Sequence, residues 1–273
     1  IFGNLDDQIN SEERDVFLSK FSLEGDKEWT KLLLSGSHRG NNQSVYYVTV
    51  GSDESIYVVG ETFGNLDDQI ISGESDVFLS KFSPEGEKEW TKILHSDEFV
   101  FANDISTGGD GSIYIVGQTY GNLDDQINSG DRDVFLSKFT QDGDWEWTRL
   151  IGTSNTEYLP YLSIGNDGSI YIAGETYGDL DNQINSGSSD AFLSKFSPEG
   201  EKEWTRLLGS EKDESPYGLN TGSDGSIYIV GETFGNLDDQ THNGLSDAFI
   251  SKFNPDGTKD WTRLVGSSSE ETG

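Results

Sequence analysis

The sequence predicts an all-β fold, a β-propeller built from four-stranded blades, and three observations carry that prediction. A block of about 57 residues recurs along the chain. Inside each block, short runs rich in β-branched and aromatic residues are separated by Gly- and Asp-containing turn motifs. Those runs are apolar on both faces, and a sheet greasy on both sides must be covered by neighbours on both sides. Repeated four-stranded sheets stacked face to face around an axis meet that demand.

The repeat is read from two independent markers. Gly-Asn-Leu-Asp-Asp-Gln begins at Gly3, Gly64, Gly121 and Gly235, with the variant Gly-Asp-Leu-Asp-Asn-Gln at Gly178. Trp29, Trp90, Trp147, Trp204 and Trp261 keep the same steps. The first unit is longer, and its extra residues fall in the polar stretch 37–42, which is expected to be a surface loop. Residues 1–273 are therefore expected to form one domain of about five blades. Its units start near residues 3, 64, 121, 178 and 235, and the last is incomplete.

Within a unit the elements follow in order. A variable segment, residues 101–107 in the second complete unit, leads to the hairpin-type turn Gly108-Gly109-Asp110-Gly111. Residues 112–119 then read Ser-Ile-Tyr-Ile-Val-Gly-Gln-Thr, in which Ile113 and Ile115 face one way while Tyr114 and Val116 face the other. An Asp-rich loop follows, then the strand Asp-Val-Phe-Leu-Ser-Lys-Phe over 133–139. The turn Gln141-Asp142-Gly143-Asp144 precedes a strand that carries Trp147 and runs to about Ile151. No segment has a helical period. Complete blades are expected from about Ser44, Phe101, Tyr158 and Ser215, preceded by a lone outer hairpin over residues 15–34. Its two inner strands are expected from chain beyond Gly273 or from another copy. The opening Ile1-Phe2-Gly3 lies in mid-pattern and is read as processed or truncated.

These residues resemble a known family. Gly-Ser-Ile-Tyr-Ile-Val-Gly-Glu-Thr from Gly225, Asn-Leu-Asp-Asp-Gln from Asn236, Asp-Val-Phe-Leu-Ser-Lys-Phe from Asp133 and Glu-Trp-Thr-Arg-Leu from Glu203 are similar to the bacterial SBBP (β-propeller) repeat. The resemblance spans essentially the whole chain. It implies a propeller in a bacterial secreted or cell-surface protein and implies no particular activity. The family name points to seven blades, whereas this chain holds fewer than five complete units.

Composition narrows the function. With 18 Lys+Arg against 50 Asp+Glu the formal net charge is −32, which opposes binding to nucleic acid or an anionic membrane. Hydrophobic residues are 32% of the chain, with no apolar run of the ~18 residues a spanning helix needs, so no membrane insertion is expected. The absence of Cys excludes thiolate catalysis, disulfides and Cys-ligated zinc, and fits secretion.

Three residue patterns are candidates for chemistry. The acidic loops supply Asp67, Asp68 and Asp76; Asp124, Asp125 and Asp133; Asp181 and Asp190; and Asp238, Asp239 and Asp247. Carboxylates beside Asn, Ser and backbone carbonyls suit Ca²⁺, the one candidate cofactor, although no bidentate Glu closes an EF-hand-like loop. The plainer explanation is that Asp and Asn form Asx-turns and cap strand ends. Second, Lys20, Lys81, Lys138, Lys195 and Lys252 recur in each third strand and are expected to pair with Glu61, Glu175 or Glu232, Gln118 standing in that place once. Third, the innermost strands vary where the repeats otherwise agree. Tyr46, Asn103, Pro160 and Tyr217 share one position, and Tyr47, Asp104, Tyr161 and Gly218 the next. Strands in this place line a propeller's channel, so Tyr46, Tyr47, Asn103, Asp104, Tyr161 and Tyr217 are candidate ligand contacts, an aromatic and acidic mouth suited to a glycan, a cationic peptide or a protein partner. The histidines His38, His95 and His242 occupy unlike repeat positions, and no conventional catalytic set is marked. The expectation is a non-enzymatic binding, adhesion or scaffold module, with Ca²⁺ as a stabiliser. The alternatives are a polysaccharide-acting hydrolase or lyase and a purely structural spacer.

Overall fold

The computed structural model describes residues 16–34, 43–67, 69–72 and 74–267. Every regular element among them is a strand. A hairpin, β1 (Val16–Phe21) and β2 (Lys27–Leu34), precedes four complete blades. The first blade is β3 (Gln43–Val50), β4 (Ile56–Thr62), β5 (Asp76–Phe82) and β6 (Lys88–Leu94). The second is β7 (Val100–Thr107), β8 (Ile113–Thr119), β9 (Asp133–Phe139) and β10 (Trp145–Ile151). The third is β11 (Glu157–Ile164), β12 (Ile170–Thr176), β13 (Asp190–Phe196) and β14 (Lys202–Leu208). The fourth is β15 (Glu214–Thr221), β16 (Ile227–Thr233), β17 (Asp247–Phe253) and β18 (Lys259–Val265). Each blade is an antiparallel meander in chain order, and the first strands β3, β7, β11 and β15 lie side by side at the hub. The fold is a β-propeller of about five blades, four of them complete in the described residues.

The turns follow from local chemistry. Between the first and second strands of a blade, the hydroxyl and amide of Ser112, Ser169 and Ser226 bond the carboxylates of Asp110, Asp167 and Asp224, an Asx-type closure. These bonds overcome partial burial and hold Asp110 and Asp167 below the usual carboxylate range.

The core lies between blades. Tyr57, Val59 and Leu79 of the first blade pack against Ile113, Ile115, Phe135 and Phe139 of the second, and the same set recurs at the next two junctions. Each junction also has a tryptophan seat. Gly86, Gly143, Gly200 and Gly257 are buried turn residues with φ between +79° and +81°. A Cβ there would stand 2.9 Å from the ring of Trp29, Trp90, Trp147 or Trp204 respectively. Only Gly satisfies both the backbone and the ring. Beside two of these seats, Arg149 Nε donates to the Gly200 carbonyl and Arg206 Nε to that of Gly257, both at 2.9 Å.

The insertion over 37–42 lies outside the described residues. The repeated lysines do not pair with Glu61, Glu175 or Glu232. Lys20, Lys81, Lys138, Lys195 and Lys252 pair with Glu28, Glu89, Glu146, Glu203 and Asp260 on the fourth strand, at 2.9–3.3 Å. Register is the reason: Lys81 lies opposite Tyr57 and Trp90, whereas Glu61 lies opposite Val77, four residues away along the strand.

Candidate functional site: the hub and its rim

The paired loop acids form turns. Leu123 and Gln126 exchange backbone hydrogen bonds across Asp124-Asp125, whose φ values are 46° and 60°. Asp181-Asn182 and Asp238-Asp239 have the same left-handed pair, the backbone of a type I′ turn that Asp and Asn tolerate. The first acid of each pair is engaged. Asp181 accepts Lys202 Nζ and Thr205 Oγ1 at 2.5 Å each, Asp238 accepts Lys259 and Thr262, Asp67 accepts Lys88 and Asp124 accepts Thr148. Asp125 and Asp239 project into solvent. Asp68 lies outside the described residues.

The strand-leading acids Asp76, Asp133, Asp190 and Asp247 are fully buried. The Oδ2 of each accepts a backbone amide, from Ser72, Ser129, Ser186 and Asn243 respectively. Their second oxygens differ. Asp76 Oδ1 accepts Ser96 N at 3.1 Å and its Oδ2 meets His95 Nδ1 at 2.8 Å. At the next two junctions Gly152 and Gly209 replace the histidine, and Glu157 and Glu214 take the corresponding amides of Thr153 and Ser210. Asp133 Oδ1 and Asp190 Oδ1 are left without a partner, as is Asp247 Oδ1. Burial, with the neighbouring Asp133 charge adding to it, raises Glu157; burial and Asp190 do the same to Glu214. Among the described residues no group of three or more His, Asp or Glu is disposed to hold a metal.

At the hub, a bulge in each first strand re-aims one side chain. Tyr46 OH donates to Glu61 at 3.2 Å and Tyr217 OH to Glu232 at 2.9 Å. Asn103 instead accepts the amide of Gln118. Glu61 is 2% exposed, and burial pushes its carboxyl up to about 7. Asp104 spans two blades: its oxygens accept Ile105 N and, from β11, Leu162 N at 3.0 Å, while burial raises it. Burial and then the Asp104 charge raise Tyr47; in Tyr161 burial leads, with Tyr47 and Asp104 adding. The structure thus brings Tyr47, Asp104 and Tyr161 together and holds Tyr46 and Tyr217 on acids of their own blades.

One site was not anticipated. Arg132 lies between the rings of Tyr120 and Tyr158, its guanidinium carbon 4.4 and 4.7 Å from their centroids. Its Nη1 donates to Gln118 at 2.9 Å, Nη2 bonds Tyr120 OH, and Nε has no partner. Beside it opens a cleft of about 420 Å³ lined by Asp131, Arg132, Asn155, Thr156, Tyr158 and Tyr177. The sequence held a signal for it. Ser75, Ser189 and Ser246 occupy the Arg132 position in the other complete blades, and Glu61, Glu175 and Glu232 the Gln118 position. Both departures fall in one unit, and they face each other.

A family model described as a domain of unknown function (DUF5122) beta-propeller matches residues 222–262. It agrees with the sheets. A curated relative, the Regulatory protein FlaEY of Caulobacter vibrioides, is 26% identical over 220 residues, or 73% of this chain. The chain spans 23% of that relative's length. Among solved structures, the polysaccharide lyase Uly1 superposes with a TM-score of 0.53 at 12% identity, covering 94% of this chain and 68% of the lyase. That likeness concerns the fold.

Proposed function

We propose that this propeller is a non-enzymatic binding module of a secreted or cell-surface bacterial protein, of the SBBP-repeat kind, and that it takes a glycan at the hub rim. The observation that supports the reading is the cleft at Arg132. There the repeat is broken on facing strands, and two exposed tyrosines, Tyr158 and Tyr177, stand beside planar hydrogen-bonding groups. Tyr faces offer area at low entropic cost, and Arg132, Asn155 and Asp131 supply donors and acceptors for hydroxyls. Calcium belongs to the same reading as a stabiliser, favoured by the buried, unpartnered oxygens of Asp133, Asp190 and Asp247.

A glycan array followed by calorimetry tests the proposal. Binding of at least one glycan class is expected, weakened tenfold or more by Tyr158→Ala or Tyr177→Ala with the melting temperature nearly unchanged. Retained affinity in both variants would remove the cleft from the account. No binding at all would leave the spacer reading. Release of reducing or unsaturated sugar from a polysaccharide would establish the hydrolase or lyase alternative.

A further inference from the structure

The rim that carries the Arg132 cleft repeats from blade to blade. Phe63, Tyr120, Tyr177 and Phe234 occupy one repeat position, directly after the second strand of each complete blade. Each is aromatic, and each is 36–45% exposed. Tyr120 and Tyr177 have a complete blade on either side, so the exposure belongs to the position and not to the neighbourhood of a chain end. The backbone that presents these rings is fixed. Thr62, Thr119, Thr176 and Thr233 close the second strands and are fully buried. Their hydroxyl oxygens accept the amides of Gly64, Gly121, Gly178 and Gly235 at 3.2–3.4 Å. The amides of Tyr120, Tyr177 and Phe234 donate to the carbonyls of Phe99, Thr156 and Asp213 at 2.9–3.0 Å. A ring on such a turn has only its own two torsions left to order, so it offers stacking area at low entropic cost.

A second cleft opens one blade on from the first. Glu211, Lys212, Phe234, Asn236 and His242 line a space of about 440 Å³, and Lys212 and Phe234 are the counterparts of Asn155 and Tyr177. The two clefts share a chemistry. Each sets an exposed ring, Tyr177 or Phe234, beside one acid and one base adjacent in sequence, Asp131 with Arg132 and Glu211 with Lys212. In a chain with 50 acids against 18 Lys and Arg, places balanced in this way suit a ligand without net charge. Donors and acceptors stand together at the edge of an apolar face. A sugar ring matches that set, because its hydroxyls both give and take hydrogen bonds and its C–H face stacks.

We propose that the ligand is an uncharged linear polysaccharide lying along the rim across the third and fourth blades, with one sugar on Tyr177 and another on Phe234; this rests on the glycan reading of the Arg132 cleft. Sites repeated blade by blade match a ligand that itself repeats. A polymer held in the first cleft engages the second intramolecularly, so each cleft can be weak while the chain is held firmly.

Affinity electrophoresis tests this, in gels containing neutral β-glucan, galactomannan or arabinoxylan, with polygalacturonate and chitosan as charged controls. Calorimetry then uses length-graded oligosaccharides of whichever neutral polymer retards the protein. At least one neutral polymer is expected to retard the wild type. Affinity should rise about a hundredfold between its trisaccharide and chains long enough to reach both clefts. Phe234→Ala and Lys212→Ala, both at exposed positions, should each weaken polymer binding about tenfold or more by removing one of the two linked contacts. Both should leave trisaccharide binding at the Arg132 cleft unchanged, whereas Tyr177→Ala should weaken trisaccharide and polymer alike. Equal affinity for polymer and trisaccharide, with Phe234→Ala and Lys212→Ala silent, overturns the proposal and leaves a single-cleft glycan site. Retardation only by polygalacturonate or chitosan also overturns it. Retardation by none of these polymers overturns it together with the glycan reading.

Discussion

At the scale of single residues, burial sets the behaviour of the hub acids. Glu61 titrates near 7 because it is enclosed, so its folded pKa lies above the unfolded value near 4.3. Below about pH 4 both states are protonated and nothing is lost. Between about 4 and 7 the unfolded chain ionises first, and stability falls until the folded carboxyl has also ionised. Glu61→Gln should therefore match the wild type at pH 4 and exceed it at pH 8 by about 1–3 kcal/mol, on the basis of 1.36 kcal/mol per pKa unit. Urea unfolding at both pH values checks this; an equal difference at the two would show that ionisation is not the cause. The second complete blade already carries the neutral form, Gln118, held by Asn103 and Arg132. The same scale shows what was legible in the sequence. Repetition marked the Asp pairs, but spacing alone did not show their conformation; the left-handed backbone of Asp124 and Asp125 makes them the central residues of a turn. Arg132 was missed because its partners come from β8 and β11, strands far apart in sequence whose meeting depends on how blades stack.

At the scale of elements, strand order, turn positions and blade phase were all readable. The third strand began at Asp133 and ended at Phe139 as expected, and the second began one residue later than expected, at Ile113. Pattern sufficed there because alternation and Gly-Asp turns are local. The Lys partners were misassigned because cross-strand neighbours depend on register. The tryptophan seat likewise joins residues more than fifty positions apart. Its energetic weight can be tested directly. Gly200→Ala forces a Cβ onto an unfavourable φ and within 2.9 Å of Trp147, so a loss of about 2–4 kcal/mol is expected from backbone strain and overpacking together. Gly109→Ala, with open space around it, should change stability by no more than about 0.5 kcal/mol. Denaturant midpoints for the two variants make the comparison, and equal losses would mean that the ring contact contributes little.

At the scale of the whole molecule, a net charge of −32 acts against every apolar junction at once. The chain has fewer than half as many Lys and Arg as Asp and Glu, so its acids outnumber the cations that could neutralise them. Screening therefore stabilises the compact state at neutral pH by relieving repulsion between blades. A monovalent salt supplies only that screening. On the proposed reading calcium would also have a local destination, the buried oxygens of Asp133, Asp190 and Asp247, where its charge would oppose the rise that burial, and then the Asp133 and Asp190 charges, impose on Glu157 and Glu214. The two effects separate in thermal melts at pH 7.5, with NaCl varied alone in one series and CaCl₂ added at constant ionic strength in another. NaCl should raise the midpoint smoothly. Millimolar CaCl₂ should add a saturable increment of several degrees that EDTA reverses and Asp133→Asn/Asp190→Asn reduces. An increment that MgCl₂ reproduces in full, or that survives the double substitution, would assign the effect to diffuse screening.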